Sequence, residues 1–289
     1  VNVLAVKILL APAFVMGASL TARRFGVRIG GLVAGLPVVA APILLVFALS
    51  HGRAFAANAA AGTLLGLVSL MTFIVVYTRL APRLRWSTSL VMGWGAYFAM
   101  TGALSAISIG RGTALAVVLM TLALTLIALP RPAGERLSTV SLPAWDLPLR
   151  GVSSLVLVLA LTALAGQLGP KLSGLLASFP VVTSVLAVFT HAQHGEEDLL
   201  GIMRGLVVGL VAYALFCFTL TISLRSLGVA ESFLLSAAAA LVTQAVVLTV
   251  TWRAGKPSRS PDGVAAHQND GSPPPVAAAS SAVPGEAPG

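Results

Sequence analysis

The sequence predicts an all-α integral membrane protein, with about nine transmembrane helices in two inverted repeats (5+4) and a disordered C-terminal tail. Three observations predict it. Apolar runs of about 20 residues, the length that spans a bilayer, recur along the chain. Charged residues make up 9% of the 289, against about 25% in a soluble domain. And one stretch occurs twice: FGVRIGGLVAGLPVV at 25–39 returns as LGPKLSGLLASFPVV at 168–182, with seven of fifteen residues identical at an offset of 143.

In chain order the predicted spans are 3–22, 30–50, 57–78, 87–109, 112–129, 151–168, 173–193, 203–224 and 232–252. The first has the small residues of a signal-peptide cleavage site, but it is too long for one. Arg23 and Arg24 follow it as a stop-transfer flank, so it reads as an uncleaved helix. The breaks between spans carry turn and charge signals: RRFGVR, HGR, RLAPRLRW and RPAGER. Only Gly110, Arg111 and Gly112 divide the fourth and fifth spans, which predicts a tight helical hairpin.

These spans divide the chain into a first membrane repeat at 1–129, a connecting loop at 130–150, a second membrane repeat at 151–253 and a tail at 254–289. The loop holds Pro130, Pro132, Pro143 and Pro148. The tail holds seven prolines among Ser, Gly and Ala, too little apolar mass for a core, and reads as disordered.

The 143-residue offset extends past the repeated motif. It pairs Lys7 with Arg150, His51-Gly52 with His194-Gly195, Gly62 and Gly66 with Gly205 and Gly209, and Thr101 with Gln244. Five spans before the second copy make the two copies enter the membrane from opposite sides, which is an inverted repeat. Twelve Lys and Arg residues lie in the loops after spans one, three, five and seven and in the tail, against four on the other side. The positive-inside rule then predicts a multi-pass membrane protein with its N-terminus outside and its tail cytoplasmic. The net charge of +9 is absorbed by this loop bias, so nucleic acid is not an expected partner. The expected partner is the lipid bilayer.

Pro37 and Pro180 carry the main chemical expectation. A proline inside a helix removes one hydrogen bond and can split the helix in two. Paired broken helices in inverted halves point to a transporter's binding site. The alternative is a plain kink filled by neighbouring side chains. Around the breaks, Gly35 belongs to the first copy and Ser178, Thr183 and Ser184 to the second. Thr101 and Gln244, mid-helix, serve either as interhelical bonds or as ligand contacts. Pro37, Gly35, Pro180, Ser178, Thr183, Ser184, Thr101 and Gln244 are therefore the candidate substrate-binding residues.

The missing groups narrow the chemistry. No Asp or Glu precedes Glu135, and none lies in the middle of a predicted span. A buried carboxylate for an organic cation is therefore absent. His51 and His194 sit at helix ends on opposite faces and cannot share a metal. Cys217 is the only cysteine and sits in an apolar run, which reads as core. No catalytic motif appears, so neither enzyme activity, cofactor nor metal is expected.

At GGLVAGLPVV and SGLLASFPVV the chain resembles the GlpM-like small bacterial inner-membrane proteins, and looks like two such four-helix units fused with one added helix. That resemblance covers 1–109 and 146–252. It implies an inner-membrane location and a link to envelope polysaccharide production. The 5+4 plan also looks like that of drug/metabolite transporters, which have ten helices, so this chain lacks the tenth. The leading expectation is a secondary transporter or exporter of a neutral or anionic small molecule. The alternative is a non-transporting membrane scaffold that assists an envelope polysaccharide synthesis or export complex, with an envelope-complex partner or a second copy of the chain beside it.

Overall fold

A computed structural model describes residues 16–17, 19–21, 24–37, 40–107, 109–130, 148–149, 152, 155–156 and 169–254, with the backbone alone at 27–28 and 251–254. Its helices are α1 (Val27–Ala34), α2 (Ala40–Ser50), α3 (Arg53–Leu80), α4 (Trp86–Ser105), α5 (Arg111–Ala128), α6 (Pro170–Ala177), α7 (Val181–His194), α8 (Glu196–Ser226) and α9 (Val229–Ala254). No strand occurs among the described residues. The described residues up to Val250 belong to one compact unit. The spans expected at 3–22 and 151–168, and the tail beyond Ala254, lie largely or wholly outside the described residues.

Five helical stretches are long and apolar enough to cross a membrane: α3, α5, α6 with α7, α8, and α9 as far as Val250. The helix α2 is apolar but shorter. The outer surface agrees with that reading. On α5 only the stripe Ala114, Val118, Leu122 and Thr125 is buried, while Met120, Leu124 and Ile127 face outward. On α9, Leu234, Leu241, Val242 and Val246 do the same. Water would penalise such continuous apolar ribs; hydrocarbon does not.

The centre is α3 and α8, the two longest helices at 28 and 31 residues. Each starts from a glycine with positive φ, Gly52 at 85° and Gly195 at 84°, a conformation that side chains resist. α3 packs on α8. The short helix α1 lies chiefly on α8, and α6 lies chiefly on α3. Glycines permit both approaches. A Cβ on Gly31 would collide with the Ile202 carbonyl, and a Cβ on Gly174 with the Ala59 carbonyl. The members of the first contact lie 143 positions from those of the second, taken crosswise.

Cations hold the helix ends. The Lys171 ammonium donates to the carbonyls of Ser105 (2.7 Å) and Ile107 (2.6 Å). Those carbonyls are bonded from α6, so α4 stops at Ser105, earlier than the expected 109. Arg79 donates to the Ala128 carbonyl at 2.8 Å and Arg204 to that of Leu129 at 2.6 Å. Both thus cap the negative end of the α5 dipole. Arg53 donates to the Leu227 carbonyl at 2.9 Å. At the start of α9, the Glu231 carboxylate folds back on Gly228, as a first-turn acid does.

Candidate functional site: two apposed helix breaks

Both repeated motifs are interrupted helices, and the interruptions share their 3₁₀ bonds, while the Gly35 amide also keeps a bond to the Gly31 carbonyl at 3.1 Å. In the first, the Gly35 amide donates to the Leu32 carbonyl (3.2 Å) and the Leu36 amide to that of Val33 (3.1 Å). In the second, the Ser178 amide donates to Leu175 (3.2 Å) and the Phe179 amide to Leu176 (2.9 Å). Each helix thus tightens to 3₁₀ spacing just before its proline, which has no N–H to continue the ladder. The next helix starts from the proline carbonyl: Ala41 donates to Pro37 at 2.8 Å and Ser184 to Pro180 at 2.7 Å. Pro180 itself has φ −73° and ψ 55°, and Val181 donates to the Phe179 carbonyl at 2.7 Å, an inverse γ-turn.

The breaks meet at one cavity. Ala34, Leu36 and Ala40 line it from the first break, Ala177 to Thr183 from the second, and Leu70, Leu210 and Tyr213 from α3 and α8. Its volume is about 40 Å³, room for roughly one water molecule. No lining residue carries a formal charge. The polar groups are the Ser178, Thr183 and Tyr213 hydroxyls and the backbone about Pro180. The start of α7 opens onto the cavity.

The expected site residues divide. Ser178, Pro180 and Thr183 line the cavity. Gly35 and Pro37 are buried at the first break, between lining residues. Gly35 lies against the backbone of Gly209. Ser184 faces α4 and accepts from Trp94 Nε1 at 3.0 Å. Thr101 donates to Ser69 Oγ at 2.9 Å, and Gln244 Nε2 donates to the Leu32 carbonyl at 2.8 Å. Those three make interhelical bonds away from the cavity. Gln244 Oε1 is buried with no hydrogen-bond partner.

Other residues of the site escaped the sequence reading. Tyr97 donates its hydroxyl to the Leu175 carbonyl at 2.8 Å, the carbonyl 143 positions after Leu32. So α4 grips the second break where α9 grips the first. Ser178 Oγ donates to the Thr63 carbonyl at 2.7 Å. Phe179 packs among Trp94, Tyr97 and Phe98 with ring centroids 5.3–5.6 Å away. Tyr213 lies beside Ser178. The available signal was that Tyr97 and Tyr213 fall mid-span, where a hydroxyl needs a partner. Among the described residues no three His, Cys, Asp or Glu side chains gather as a metal site would require.

Comparisons with protein-family models, with curated proteins and with solved structures find no match to this chain.

Proposed function

We propose that this protein is a secondary transporter or exporter of a neutral or anionic small molecule, built on two inverted repeats and working at the cavity between Pro37 and Pro180. The observation that carries the proposal is the meeting of two proline-broken helices at one uncharged, hydroxyl-lined cavity. Broken helices expose amides and carbonyls inside a bilayer only where these line a cavity or are buried in protein. The inverted-repeat reading is supported by the contacts and turn bonds that recur at the 143-residue offset. The nine-span count, the inner-membrane location and the kinship with GlpM-like proteins belong to the same proposal. In this reading the structure is an occluded state, and transport opens the cavity to each side in turn.

The small cavity volume favours the second reading, a scaffold for envelope polysaccharide machinery whose bundle centre stays shut. Thiol accessibility separates the two. Cys217 is buried, so Ala40→Cys and Thr183→Cys are introduced singly in a Cys217→Ala background. Oriented membrane vesicles are then treated with a membrane-impermeant maleimide from one side or the other. A transporter labels at both positions from both sides. A scaffold labels only after denaturation, and that result would reject transport.

A further inference from the structure

We propose that Asp198, with His194 beside it, is a proton-binding site at the turn between α7 and α8, and that this proton is the coupling ion of the transport proposed above, on which the coupling rests.

Asp198 sits in the first turn of α8 with Glu196 and Glu197. Acids at a helix start are ordinarily explained by the helix dipole. That explains the two glutamates, which are exposed, but not Asp198. The aspartate is 8% exposed, and its Oδ2 is buried with no hydrogen-bond partner. It lies one turn before Ile202, whose carbonyl faces Gly31, and so falls on the α8 face that α1 covers. An ionised carboxylate held there with an open oxygen is costly unless it is paired or neutralised.

His194 supplies the pairing. It ends α7, four positions before Asp198 across the tight Gly195 turn, and the two side chains interact electrostatically. A carboxylate and an imidazole that couple strongly titrate as a pair, taking up and releasing one shared proton, and an imidazole is the side chain suited to exchange near neutral pH. Uptake takes the pair from one negative charge to none. Release restores the buried negative charge.

Other charged groups stand on α8 and on the helices packed against it. Glu197 acts on it from its own helix. Of the helices packed on α8, α7 also brings His191, which is hydrogen-bonded to the Tyr77 hydroxyl at 3.3 Å. Arg53 and Arg79 of α3 bind the Leu227 and Ala128 carbonyls. Arg111 opens α5 at the end away from Arg204. Arg28 is the charged residue of α1, and its side chain lies outside the described residues. On α8 itself, Arg204 binds the end of α5.

The pair can report to the cavity through one element. α7 runs unbroken from Val181 to His194, 14 residues, or about 21 Å. One end lines the cavity and the other carries the imidazole. The first copy holds no equivalent: Phe55 occupies the position matching Asp198, and His51 stacks on it at 4.6 Å. Of the two matching turns, only the second therefore holds such a site.

The test has two arms on the full-length protein in lipid. Infrared difference spectra between about pH 8 and pH 5 read the carbonyl band of a protonated carboxyl group. Asp198→Asn should lose a band that Glu197→Gln retains; an Asp198→Asn spectrum superimposable on wild type overturns the site. His194→Gln keeps the carboxyl group and must move the pH at which the band appears; an unmoved band removes His194 from the site. The second arm is maleimide labelling of Thr183→Cys in the Cys217→Ala background. Its rate should change several-fold across the same pH range, and the change should vanish with Asp198→Asn. Labelling from both sides without pH dependence overturns coupling while transport stands. An Asp198-dependent band with no labelling from either side keeps the proton site and rejects the transport reading.

Discussion

Alanine at Gly66 tests the cross-packing that brings the two breaks together. A Cβ there would sit 2.7 Å from the Leu175 carbonyl oxygen, 2.7 Å from Ser178 Oγ and 2.9 Å from Ser178 Cβ. Ordinary contact is nearer 3.4 Å, so α3 and α6 must part by about 0.7 Å or Ser178 must turn away. Overpacking of this kind costs about 1–3 kcal/mol. Moving Ser178 also breaks its bond to the Thr63 carbonyl, about 0.6 kcal/mol within a membrane bundle. The gain in helix propensity returns about 0.5–1 kcal/mol, leaving a net loss of roughly 1–3 kcal/mol. Gly95→Ala is the matched control, because no atom lies within 4 Å of its Cβ position. There only the propensity gain remains, and the variant should be more stable by about 0.5–1 kcal/mol. Unfolding in mixed detergent micelles with rising dodecyl sulfate, followed by tryptophan fluorescence, reads both. The two midpoints should move in opposite directions. Equal shifts for Gly66→Ala and Gly95→Ala would refute the close α3–α6 approach.

Tyr97→Phe removes the bond to the Leu175 carbonyl and relieves nothing, so the same unfolding assay should show a loss of about 0.5–1.5 kcal/mol. Gln244→Leu also removes a bond, but it deletes the unpartnered Oε1 as well, and should lie within about 1 kcal/mol of wild type. Lys171→Met leaves the last α4 carbonyls without their cation, so amide exchange over 105–110 should speed up while α3 is unaffected. Cys217 is wholly buried, so a maleimide should label it only at the rate of global unfolding.

The breaks were legible because proline and glycine act through the backbone, whatever surrounds them. Pro37 and Pro180 cannot donate to the preceding turn, and both helices end there. Gly52 and Gly195 read as turn glycines beside a repeated histidine, and both have positive φ. What the sequence hid was which carbonyls the side chains reach. Gln244 and Thr101 occupy matching positions, yet one bonds the first break and the other bonds Ser69 of α3. Tyr97 takes the role at the second break that Gln244 fills at the first, from a position one turn away. A hydroxyl and an amide of different length reach the same carbonyl from neighbouring turns, and no residue-to-residue alignment shows that. Asp198 escaped for a related reason. At a helix start its charge looks solvated, and only the fold shows that it is a buried acid. Arg204 escaped because, as the second residue of the predicted span 203–224, it looks like a flanking charge until the end of α5 is found beside it.

The same contrast separates what the two copies share from what they do not. The shared features, namely the two breaks, the glycine contacts and the positive-φ turns, are all backbone features. They require an absent N–H or an absent Cβ and place few demands on neighbouring side chains. The polar side chains differ: Ser178, Thr183, Tyr213 and Asp198 fall opposite Gly35, Ala40, Leu70 and Phe55. The second break is also held by Tyr97, Trp94 and Ser178. The bond from Gln244 to Leu32 is the corresponding side-chain tie at the first. Matched backbones with different side chains thus form a cavity whose polar groups come from the second copy and whose apolar wall comes from the first. In the proposed transporter, a ligand at this cavity meets the hydroxyls of the second copy, whereas the first copy presents Ala34, Leu36 and Ala40.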